Sequence, residues 1–145
     1  MEENKAIRAR VIIEVIGMPK EHVQETLNKL IGNIKEDPEY LIEKQEIFDP
    51  VELPENKLFS TFVEADLKFI HIEKLIGFCF DFTPSSVEVL EPISFVFDAR
   101  FLNCMLNDVV TKLHRYTLLI RNLDAEYAML KRDIEAKKQL SSDKV

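Results

Sequence analysis

Ten apolar residues near the C-terminal end recur at alternating steps of four and three without a break. They are Leu102, Leu106, Val109, Leu113, Tyr116, Ile120, Leu123, Tyr127, Leu130 and Ile134. Their mean step of about 3.5 residues is the coiled-coil repeat, not the ~3.6 of a straight helix. No Pro or Gly occurs after Pro92. A single helix is therefore expected from Asp98 to Lys138, roughly 60 Å long at ~1.5 Å per residue. Residues 1–97 are too few to cover such a seam. The ten residues are expected to form an oligomer interface, most simply with a second copy of the same helix in a homodimer.

The seam's flanks change along its length. Phe101, Met105, Val110 and Leu119 widen the apolar face early on, whereas past Asn122 the flanks are charged. With Leu106, Leu113, Ile120, Tyr127 and Ile134 at a, Glu126 is placed at g and Lys131 at e. No a or d position holds an Asn, so these positions fit parallel and antiparallel pairing alike. Lys137 breaks the repeat, and residues 139–145 are expected to be a disordered tail.

Residues 6–16 (AIRARVIIEVI) alternate: Ile7, Ala9, Val11, Ile13 and Val15 on one face, Arg8, Arg10, Ile12, Glu14 and Ile16 on the other. Period two with β-branched residues marks a strand. Gly17-Met18-Pro19 turns the chain into a helix whose stripe is Val23, Leu27, Leu30, Ile31 and Ile34, stopped by Glu36-Asp37-Pro38. Residues 40–48 read as a more polar strand, 49–57 as a turn, and 58–67 as a third strand completing a hairpin. Residues 66–82 carry Phe69, Ile72, Leu75, Ile76, Cys79 and Phe80 at helical spacing, with Gly77 placed for close packing. Residues 86–91 alternate as a fourth strand, which Pro92 ends. Ile93 to Phe97 fit either a strand continued past a bulge or the opening of the long helix, and Asp98 is expected as its N-cap.

The order β-α-β-β-α-β is the ferredoxin-like split pattern. The expected fold is thus α+β. A four-stranded antiparallel sheet of order 4-1-3-2 carries two helices on one face, forming a body over 1–97, followed by the long helix over 98–138. The apolar residues on the sheet's other face are expected to need a cover.

Net charge is −7. It divides into −9 over residues 1–97 and +2 over residues 98–145. An acidic body argues against nucleic-acid binding, which needs a basic face. Arg8 and Arg10 on one side of the first strand, and Arg115, Arg121, Lys131 and Arg132 along the long helix, read as ordinary solvated charge rather than as a basic patch. No apolar run is long enough to span a membrane. The N-terminal MEENKAIRAR lacks a hydrophobic signal region, so a cytoplasmic location is expected. Cys79 and Cys104 are expected to be buried free thiols.

The segment 35–57 is rich in carboxylates but lacks the fixed oxygen spacing of a calcium loop. His71-Ile72-Glu73 near Asp66 is a weak metal pattern, better read as a surface histidine. Asn107 and His114, seven apart, share one helix face and read as a polar contact point. No catalytic constellation has recognisable spacing, and no catalytic residue, metal or cofactor is expected.

The segment LNDVVTKLH (Leu106 to His114), following a body of this pattern, resembles an uncharacterised archaeal protein family. The segment VIIEVIGMPKEHVQETL (Val11 to Leu27) loosely resembles ACT-type regulatory domains over one β-α unit. ACT domains bind small ligands near the turn after the first strand. That resemblance implies a ligand region at Gly17, Met18 and Lys20.

Three functions follow as expectations. The foremost is a non-enzymatic assembly module, dimerised through the long helix and presenting its bodies to a protein partner. A small-molecule-sensing regulatory domain and an enzyme with a site between subunits, near His71 or His114, are the alternatives.

Overall fold

The computed structural model describes residues 6–144. Residues 1–5 of the expected body and Val145 of the expected tail lie outside the described residues. The elements follow in the order β1 (Ile7–Gly17), α1 (Lys20–Glu36), β2 (Leu41–Glu52), β3 (Phe59–Phe69), α2 (Ile72–Phe82), β4 (Ser86–Glu91) and α3 (Ala99–Ser142). The chain divides into two compact units, one ending at Val96 and the second beginning at Phe97.

In the first unit the strands form one antiparallel sheet of order β2-β3-β1-β4, which is the expected order read from the opposite edge. Alternation sorts the side chains of the central strands. Ile7, Ala9, Val11 and Ile13 on β1 and Val63, Ala65, Leu67 and Phe69 on β3 are all buried. They pack with Leu27, Ile31 and Ile34 of α1 and Leu75 and Phe78 of α2 into one core. Tyr40 closes one end of it, its ring edge-on to Phe69, Phe78 and Phe82 at centroid distances of 5.9, 5.1 and 5.8 Å. Offset and edge-to-face rings of this kind add to the area they bury. Burial, aided by Asp81, Asp37 and Glu39, pushes the Tyr40 hydroxyl up to about 12.

Three elements differ from the sequence-based expectation. β2 runs on through Pro50 to Glu52, so the turn shrinks to the few residues closed by Leu53 N–H donating to Leu58 O at 2.7 Å. Pro50 is tolerated because β2 is an edge strand and its register shifts between Phe48 and Val51. α2 begins at Ile72, not at Asp66, because β3 keeps residues 66–69: Phe69 pairs with Ile7 and Asp66 with Arg10. Gly77 has no packing role, since a Cβ there would meet nothing within 4 Å.

Residues 92–97 are neither strand nor helix. Asp98 caps α3 as expected, its Oδ1 accepting from the Phe101 N–H at 2.7 Å. The helix then continues through Ser142, so residues 139–142 are helical and not a disordered tail.

Candidate functional site

Two surfaces gather the residues that the sequence singles out. The first is α3. Its 44 residues include none that is buried. Of the ten seam residues all but the half-buried Val109 are exposed, from 40% at Tyr116 to 68% at Tyr127. Positions three and four apart stack along one side of a helix, so the seam is a continuous apolar stripe. Thr111 and Thr117 return their hydroxyls to the carbonyls of Asn107 and Leu113, at 2.8 and 3.0 Å, which satisfies both groups within the helix. Asn107 and His114 are both exposed on α3. Cys104 is exposed as well and Cys79 half-buried, so the expected burial of both thiols does not hold; both are free. Burial still raises the Cys79 thiol above its ordinary range.

The second surface is the sheet face opposite α1 and α2. Cross-strand register places its residues in rows. One row reads Lys44, Asp66, Arg10, Glu88 across the four strands, alternating in charge. The next reads Leu41, Lys68, Arg8, Glu91. Arg10 donates from Nε to Asp66 Oδ1 at 2.7 Å and from Nη2 to Asp66 Oδ2 at 3.0 Å, a two-pronged pair. Glu64 lies 3.7 Å from the same guanidinium. Arg8 donates to Glu43 at 2.7 Å and sits 3.6 Å from Glu91. These hydrogen bonds hold both guanidiniums above their ordinary range. The Arg10 bond likewise lowers the Asp66 carboxyl, against the opposing effect of its burial. Beside the rows, Phe48 and Phe62 stack at 4.3 Å and 17°, and Ser60 donates to Glu14.

This face corrects one reading. It is not an apolar surface awaiting cover, because salt bridges occupy its centre. Arg8 and Arg10 are neutralised by carboxylates of the same chain. The signal was present in the chain. Arg8 and Arg10 alternate on one strand, and Glu64 and Asp66 alternate on another. Pairing them required the strand register, which periodicity does not supply.

The remaining candidates are dispersed. Gly17 ends β1 opposite Phe59. Met18 is exposed, Lys20 opens α1, and the Met18–Pro19 and Glu91–Pro92 bonds are cis. His71 is the N-cap residue of α2, its carbonyl accepting from Lys74 N–H at 3.1 Å. Asp66 turns away from any metal role by engaging Arg10. Among the described residues no group of three or more His, Cys, Asp or Glu is placed to hold a metal ion. Among them, too, no helix is long and apolar enough to cross a membrane.

A four-stranded antiparallel sheet with two helices in βαββαβ order, extended by a long helix, defines an α+β protein of ferredoxin-like topology. The chain belongs to the MJ0538 family, whose model matches residues 8–144. No curated protein and no solved structure matches it.

Proposed function

We propose that this chain is a non-enzymatic assembly module: two copies dimerise through α3, and the dimer presents a pair of ferredoxin-like bodies to a protein partner. One observation carries the reading, the unbroken apolar stripe on a 44-residue helix that buries none of its residues. A long helix draws most of its stability from packing an apolar face, not from propensity. Pairing removes the exposed part of that stripe from water in both copies, and this apolar burial is the term that offsets the ~4–15 kcal/mol that association loses in freedom of motion. The open sheet face, with its stacked Phe48 and Phe62 among fixed ion pairs, is the surface each body offers.

Light scattering tests the assembly directly. The intact chain is expected at the mass of a dimer. The variant carrying Leu123→Asp and Leu130→Asp is expected at half that mass, with the β-sheet circular dichroism of the body retained. A monomeric intact chain, or a double variant that keeps the dimer mass, overturns the reading.

A further inference from the structure

We infer that two copies of α3 pair parallel and in register, forming a two-stranded coiled coil with both bodies attached at the same end. This inference rests on dimerisation through α3 and adds to it the orientation of the partner, which the seam itself leaves open. The charges beside the seam decide it.

In a parallel pair, each g residue faces the e residue of the next heptad on the second copy. Glu126 then faces Lys131 of the second copy, and Asp133 faces Lys138. Nearer the helix start, Met105 faces Val110, Lys112 faces Thr117 and Leu119 faces Asp124. The two-fold symmetry of a homodimer repeats each contact. Four opposite-charge contacts result, and no like charges meet.

In an antiparallel pair, g faces g and e faces e. The alignment that overlaps the whole seam sets Leu102 against Ile134 and Leu113 against Leu123. Lys112 then gains Glu126, but Asp133 lies against Met105 and Asp124 against Val110. The physical difference is one of gradient. The flanks of α3 pass from apolar at its start to charged past Asn122. Parallel pairing gives four opposite-charge contacts and sets one carboxylate per copy, Asp124, against an apolar residue; antiparallel pairing gives two opposite-charge contacts and sets two carboxylates per copy against apolar residues. Antiparallel pairing folds the charged end onto the apolar one, where carboxylates lose water without gaining a partner.

Glu126 also has no charged neighbour within its own helix to compete. Positions three and four away are Asn122, Leu123, Met129 and Leu130.

A single engineered thiol reads the orientation. In the full chain carrying Cys79→Ser and Cys104→Ser, Leu130→Cys places a thiol at a seam position that meets itself only when the helices are parallel and in register. Under a glutathione redox buffer, most chains are expected to run as disulfide-linked dimers on a non-reducing gel. If light scattering shows a dimer but L130C does not cross-link, while a mixture of L106C and L130C chains does, the helices are antiparallel. The orientation then fails and dimerisation stands. If the parent is a monomer, both fail.

Charge reversal gives a second measurement free of thiols. Glu126→Lys is expected to weaken the dimer roughly fivefold at low salt. Adding Lys131→Glu is expected to recover much of that loss. An E126K chain that dimerises as tightly as the parent, or a double variant no tighter than E126K, overturns the parallel register.

Discussion

Phe78 and Asp66 show how differently single residues hold this fold. Phe78 is fully buried and touches the rings of Tyr40, Phe69 and Phe82, at 5.1, 5.6 and 4.7 Å. Truncating it leaves a cavity lined by rigid rings that cannot collapse. Phe78→Ala is therefore expected to destabilise the body by ~3–5 kcal/mol in urea unfolding. Asp66 contributes through charge. Arg10 holds its folded carboxyl below the ordinary 3.8 of the unfolded chain. A depressed carboxylate stabilises the fold fully above that ordinary value, and loses its contribution as pH falls through the folded one. Asp66→Asn is thus expected to lower the melting temperature by a few degrees at neutral pH. As pH falls below that ordinary value toward the lower folded one the gap should narrow, and a gap constant with pH would refute the pairing's role. Asp66 also marks where sequence reading goes astray. Phe69 fits both the alternation of β3 and the helical spacing of α2. Only its pairing with Ile7 assigns it to the strand.

At the scale of elements, termini carry most of the local chemistry. α2 ends at Thr83, whose φ of 44° and ψ of 56° place a β-branched residue in the left-handed region. Its N–H still donates to the Cys79 carbonyl at 3.1 Å, closing the last turn. Glycine adopts that backbone without a Cβ clash. Thr83→Gly is expected to stabilise the body by ~1 kcal/mol, read as a shift in the urea midpoint. The opposite end of the range is Asp98, whose cap was legible from sequence because it stands immediately before the helical periodicity. Strand ends were less legible. β2 passes through Pro50, which only an edge position with a register shift permits, and nothing in residues 40–52 states which strand lies at an edge. Gly77, in contrast, suggested close packing, yet its surroundings are open. A lone glycine in a helix reports its backbone, not its neighbours.

At the scale of the molecule, the proposed pairing of α3 links folding to concentration. A helix stabilised by a second copy melts at a temperature that rises with chain concentration, whereas the body's core is internal to one chain. A hundredfold dilution is expected to lower the helical melting transition, followed by circular dichroism, and to leave the Phe78-dependent transition in place. A helical transition independent of concentration would contradict dimerisation. Much of this was determined by the sequence alone. Periods of two and three to four residues specify the element order and the helix-facing half of the sheet. They also specify the apolar stripe from Leu102 to Ile134, because each depends only on spacing along one chain. The tertiary structure decided what depends on register between distant segments. It assigned Phe69 to β3, carried β2 past Pro50, and brought Arg8 to Glu43 and Arg10 to Asp66. Those contacts join residues 35 and 56 positions apart, and spacing along the chain holds no information about which strand will lie beside which, or in what register.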